Sequence, residues 1–91
     1  MRGIAILGST GSIGRQAIDV VMKHPDRFSV TALTAHRNAA LLFDQVRLLR
    51  PRMAALTGEA APIPDDLRFC DFRFGEGALE AVARESEGQD V

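Results

Sequence analysis

The stretch ILGSTGSIGRQ, Ile6 to Gln16, constrains the fold more than any other part of the chain. A continuous apolar run, Ile4–Leu7, meets three glycines in phase, Gly8, Gly11 and Gly14. A short apolar run flanked by turn residues reads as a strand buried on both faces, as in a parallel sheet. After the glycines, Arg15–His24 carries Ile18, Val21 and Met22 at helical spacing, with Ala17 and Val20 beside them. That is the apolar stripe of a helix. Pro25 stops it, because proline disfavours helical geometry at His24.

The same alternation continues. Phe28–Thr34 reads as a second strand, and Asn38 is placed to cap a helix on which Leu42, Val46 and Leu49 share a face until Pro51. Met53–Leu56 reads as a third strand. Thr57–Leu67 holds Gly58, Pro62, Pro64, Asp65 and Asp66, a surface loop with a short helical turn. Phe69–Phe74 alternates Phe69, Asp71 and Arg73 against Cys70, Phe72 and Phe74, which suits a short strand. Ala78–Arg84 sets Leu79, Val82 and Ala83 on one helical face; Gly88 marks its end, and Asp90-Val91 begins another strand. The order predicts an α/β fold: a Rossmann-like parallel sheet with right-handed crossovers, flanked by helices, amounting to the first half of a dinucleotide-binding domain.

With 91 residues the chain makes one domain at most, and 46% apolar with 25% charged residues fits a globular protein. The net charge of −1 offers no basic field for nucleic acid or an anionic membrane surface. Ile4–Leu7 is too short for a signal-peptide core, and nothing approaches a transmembrane span. The single cysteine, Cys70, allows no internal disulfide, suits a reducing cytosol and reads as a small packing residue.

The glycine turn has a phosphate-binding reading. Gly8 lets the chain leave the strand in a tight turn, Gly11 lets backbone amides approach a pyrophosphate, and Gly14 lets the helix pack closely on the sheet. The unpaired amides at the helix start face the phosphates, and Thr10 and Ser12 add hydroxyl donors. The alternative is a glycine-rich connection with no ligand. A P-loop is disfavoured, since no Gly-Lys-Ser/Thr follows.

An NAD site usually places Asp or Glu at the end of the second strand to bond the ribose hydroxyls. Here that end reads TAHRN, Thr34 to Asn38, without a carboxylate. Arg37 offers a charge-assisted fork to a 2′-phosphate, the alternative being a solvated surface cation. His36 helps if protonated or lines the adenine; Asn38 caps its helix and reaches the ribose. The expected cofactor is therefore NADP(H) in preference to NAD(H).

ILGSTGSIGRQAIDVV (Ile6–Val21), HPDRFSVTALTAHRN (His24–Asn38), RPRMAAL (Arg50–Leu56) and the terminal DV together resemble the start of the 1-deoxy-D-xylulose 5-phosphate reductoisomerase family. The resemblance is strongest over Gly3–Asn38 and loose over Thr57–Arg68. It implies an NADP-dependent oxidoreductase of non-mevalonate isoprenoid biosynthesis. Such an enzyme rearranges and reduces 1-deoxy-D-xylulose 5-phosphate to 2-C-methyl-D-erythritol 4-phosphate. It uses NADPH and a divalent cation (Mg2+, Mn2+ or Co2+), as a homodimer in the bacterial cytoplasm or in plastids. Carried over position by position, Thr10, Gly11, Ser12 and Ile13 contact the cofactor phosphates, and His36, Arg37 and Asn38 surround the 2′-phosphate. Many relatives have Gly-Lys-Asn where this chain has His36-Arg37-Asn38, which preserves the charge and adds bulk at His36.

The resemblance also implies that residues 1–91 are the N-terminal NADP(H)-binding portion of a longer protein. The metal ligands, substrate-phosphate ligands and lid lie elsewhere in it. Asp65, Asp66, Glu76, Glu80, Glu85 and Glu87 read as solvated charges, so no catalytic or metal-binding residue is assigned. On this expectation the segment alone binds NADPH weakly and catalyses nothing, and its sheet has an unpaired edge. Two rivals stand beside it: another NADP-dependent oxidoreductase of the semialdehyde dehydrogenase type, and a non-catalytic NADPH-binding module.

Overall fold

The computed structural model describes residues 2–58 and 60–85. Its elements run β1 (Arg2–Ile6), α1 (Ser12–Lys23), β2 (Phe28–Ala35), α2 (Ala39–Leu49), β3 (Met53–Leu56), a 3-10 turn (Asp65–Leu67), β4 (Asp71–Phe74) and α3 (Gly77–Glu85). The four strands form one parallel sheet in the order β1-β2-β3-β4.

Side-chain alternation along the strands sorts the core into two layers. Ile6, Leu33, Ala35, Ala54 and Leu56 face α1 and α2, meeting Ile18, Val21, Leu42, Phe43 and Val46, with Leu67 and Cys70 in the same cluster. Ala5, Ala32, Met53 and Ala55 face the other way and meet Ala78 and Val82 of α3. The second face is mostly alanine, so α3 sits close to the sheet. The register of β1 against β2 slips between Ile4 and Ala5, leaving Thr31 as an extra residue in β2. This bulge lets Val30 and Leu33 lie on the same face.

Helix ends follow local chemistry. Asn38 caps α2, its Oδ1 accepting from the Leu41 amide at 3.1 Å. At the other end Arg50 turns left-handed (φ 50°), and its amide donates to the Val46 carbonyl at 2.9 Å before Pro51 prevents continuation. The Arg50 guanidinium then lies 4.0 Å over the Phe69 ring. Phe72 meets Phe43 edge-on at 5.6 Å and stacks with Phe74 at 6.4 Å, which holds β4 under α2.

Some expectations change. β1 ends at Ile6, and Leu7 is exposed beyond it. Val20 and Met22 of α1 are exposed; Ile18 and Val21 are buried as the stripe predicts, and Gly14 joins them. The stripe begins one turn earlier because α1 itself starts at Ser12, so the glycine turn contributes to its packing face. The Gly88 and Asp90-Val91 readings lie outside the described residues, as do the side chains of Leu79 and Ala83.

Candidate NADP(H)-binding site

The glycine turn and the loop after β2 both lie at the C-terminal edge of the sheet, where α/β folds bind ligands. Gly8 adopts φ +74°, the left-handed turn that only glycine enters freely. Its amide donates to Thr34 Oγ1 at 2.9 Å, and the Ser9 amide donates to the Thr34 carbonyl at 2.7 Å. The Gly11 amide donates back to the Gly8 carbonyl at 3.1 Å. Helical bonding begins with the Arg15 amide on the Gly11 carbonyl at 2.9 Å. The amides of Ser12, Ile13 and Gly14 are therefore first-turn donors with no carbonyl partner inside the helix. Gly11 caps the helix without a side-chain bond, and no acidic residue occupies the first turn. That end of α1 is an electropositive cradle.

The glycines divide the work. A Cβ at Gly14 would lie 2.2 Å from the Gly8 carbonyl oxygen and 2.7 Å from Ser9 Cα, so Gly14 lets the helix pack on the turn, not on the sheet as its spacing suggested. A Cβ at Gly11 would meet only the Gly8 oxygen at an ordinary 3.5 Å. The protein's own packing does not demand glycine there. Thr10 is half-buried, Ser12 is exposed, and Ile13 is exposed at 81%.

The second half of the candidate site is His36-Arg37-Asn38, all exposed. The loop after β3 supports it. The Gly58 amide donates to the His36 carbonyl, and His36 Nδ1 lies 3.0 Å from Thr57 Oγ1. Gly58 must be glycine because a Cβ would press 2.5 Å from the His36 oxygen and 2.7 Å from Arg37 Cγ. Among the described residues no carboxylate pairs with Arg37. Asn38 spends Oδ1 on the cap and keeps its amide nitrogen.

A sequence profile of the 1-deoxy-D-xylulose 5-phosphate reductoisomerase family matches residues 4–91. The chain belongs to that family. It is 49% identical over 84 residues to the reductoisomerase of Methylococcus capsulatus, covering 91% of this chain and 21% of that protein. It is 39% identical over 94 residues to the chloroplastic reductoisomerase of Oryza sativa subsp. japonica, covering 97% of this chain and 20% of that one. The fold superposes with a TM-score of 0.78 and 30% identity on the Zymomonas mobilis reductoisomerase solved in complex with NADPH, over 97% of this chain and 24% of that one. The chain thus spans about a fifth of these reductoisomerases.

Both halves of this candidate site are marked in the sequence, but what braces them is not: Ser9, Thr34, Gln45, Thr57 and Gly58. A signal for Gln45 was present, since it falls on the same helical face as Leu42 and Val46.

Proposed function

We propose that this chain is the NADPH-binding segment of a 1-deoxy-D-xylulose 5-phosphate reductoisomerase. One observation carries the reading. A helix start with free amides and no acidic neighbour stands beside a β2 end that offers Arg37 in place of a carboxylate. The residues present fit a dinucleotide carrying a 2′-phosphate. The Ser12 and Ile13 amides, with the Thr10 and Ser12 hydroxyls, receive the pyrophosphate at the positive end of α1. The open space at Gly11 lets the backbone come close. Arg37 forks onto the 2′-phosphate, with Asn38 on the ribose and His36 against the adenine or phosphate. NADPH, when bound, supplies hydride for the reduction.

The wider activity belongs to the whole protein: rearrangement and reduction of 1-deoxy-D-xylulose 5-phosphate to 2-C-methyl-D-erythritol 4-phosphate, by a homodimer in the bacterial cytoplasm. Its divalent cation does not fit these residues, because no three His, Cys, Asp or Glu side chains converge among those described. The segment's task is to hold and orient the hydride donor. Titration with NADPH and NADH tests this. The wild-type chain should prefer NADPH, and Arg37→Ser should remove about 10- to 100-fold of that preference, the worth of a charge-assisted hydrogen bond of roughly 1.5–3 kcal/mol. Equal affinity of the wild-type chain for both cofactors would refute it.

A further inference from the structure

The buried face of α2 carries Leu42, Phe43, Gln45 and Val46, of which Gln45 alone is polar. A buried primary amide is costly unless both of its ends are satisfied. Both ends of Gln45 reach one residue. Its Oε1 accepts from the Ser9 hydroxyl at 2.6 Å, and its Nε2 donates to the Ser9 carbonyl at 2.8 Å. Ser9 is fully buried and Gln45 is 6% exposed, so these bonds form away from water. With the Ser9 amide committed to the Thr34 carbonyl, every backbone polar group of Ser9 is held by the protein. An apolar side chain at position 45 would still pack α2 on the sheet. It would leave the Ser9 hydroxyl and carbonyl buried without this partner.

Gln45 also lies two turns along α2 from Asn38, the cap in the loop that carries Arg37. One helix therefore bears on both halves of the site, through its cap at one end and through Ser9 further down.

We infer that Gln45 is a positioning residue for the glycine turn. Gripping Ser9 at two points, it sets the turn and the start of α1 at the height the pyrophosphate needs, without touching the cofactor. This rests on the NADPH reading of the site.

Two probes separate positioning from general structural support. NADPH engages the turn through its pyrophosphate; adenosine 2′-monophosphate carries the 2′-phosphate and no pyrophosphate, and so reports on the His36–Asn38 loop alone. In the wild-type chain, Gln45→Leu and Ser9→Ala, both affinities are followed by NMR titration beside far-UV circular dichroism. Gln45→Leu should weaken NADPH about tenfold or more and leave adenosine 2′-monophosphate within about twofold. Ser9→Ala removes only the hydroxyl bond and should show a smaller loss with the same selectivity. The double variant should bind NADPH no worse than Gln45→Leu, because the two side chains act as one unit. Equal losses for both ligands, or no loss for NADPH, would overturn the assignment. If Gln45→Leu does not fold, Ser9→Ala decides by the same comparison. A folded wild-type chain that binds no NADPH defeats the cofactor reading and this assignment with it. NADPH binding left intact in the variants defeats the assignment alone.

Discussion

Gly14→Ala sets two physical effects against each other. Helix propensity alone predicts stabilisation of up to about 1 kcal/mol, since alanine is the better helix former. Geometry predicts the opposite. The new methyl carbon would sit 2.2 Å from the Gly8 carbonyl oxygen, 2.7 Å from Ser9 Cα and 2.9 Å from the Gly8 carbonyl carbon. All three atoms belong to backbone, so no side chain can swing away. Relief requires the helix start and the turn to separate by roughly 1 Å, at the 1–3 kcal/mol typical of overpacking. The net expectation is destabilisation by about 1–2 kcal/mol. In a domain of this size that lowers the midpoint of thermal unfolding by roughly 4–16 °C. Thermal and urea unfolding followed by circular dichroism measure it, with NADPH titration in parallel. Gly11→Ala is the control, because its methyl meets only an ordinary contact at 3.5 Å. It should leave stability within about 1 kcal/mol, the usual range for an N-cap change, while weakening NADPH. A Gly14→Ala chain as stable as wild type would refute the close approach of α1 to the turn.

Three further outcomes follow from separate features. Gly58→Ala should weaken adenosine 2′-monophosphate several-fold, because the added methyl pushes on the His36 carbonyl and the Arg37 stem; unchanged affinity would dissociate the β3 loop from the site. Arg47 donates to Asp66 at 2.7 Å and holds that carboxyl below its ordinary pKa of 3.8. The pair's small contribution is present above 3.8 and lost as pH falls through the lowered value. In Arg47→Gln the Asp66 carboxyl should return toward 3.8 by NMR titration. Burial, with Asp71 nearby, pushes the Cys70 thiol up from 9.0 to about 12. The folded chain should therefore resist iodoacetamide at pH 8 far better than the urea-unfolded chain. It should also lose stability as pH rises above 9, where the unfolded thiol ionises first.

Much of this fold was legible because its signals are local. Met53–Leu56 is a four-residue apolar run between a proline and a glycine loop, and the strand occupies those same residues. Asn38 preceded an apolar stripe and became the cap. Val20 and Met22 were harder, since spacing does not say which part of a broad apolar arc meets the sheet, and α1 turns Gly14, Ile18 and Val21 inward. In the site, the glycine phase and the missing carboxylate at TAHRN could be read directly. The braces could not. Ser9 and Gln45 are 36 residues apart, Gly8 and Thr34 are 26 apart, and His36 and Thr57 are 21 apart. Only the sheet order brings such pairs together. Gly58 reads in the sequence as an ordinary loop glycine, and only the fold brings the His36 carbonyl against it.

β1 has one neighbour among the described strands, β2, so its other side presents backbone donors and acceptors in a row. That row ends at Ile6, just ahead of the glycine turn, with Leu7 exposed at 41% and Ile13 at 81% close by in the chain. A further parallel strand laid along β1 would finish beside the phosphate cradle and form a second wall to it. Strand pairing and cofactor binding would then share one free energy. By whatever factor the added strand tightens NADPH, NADPH tightens the strand by the same factor.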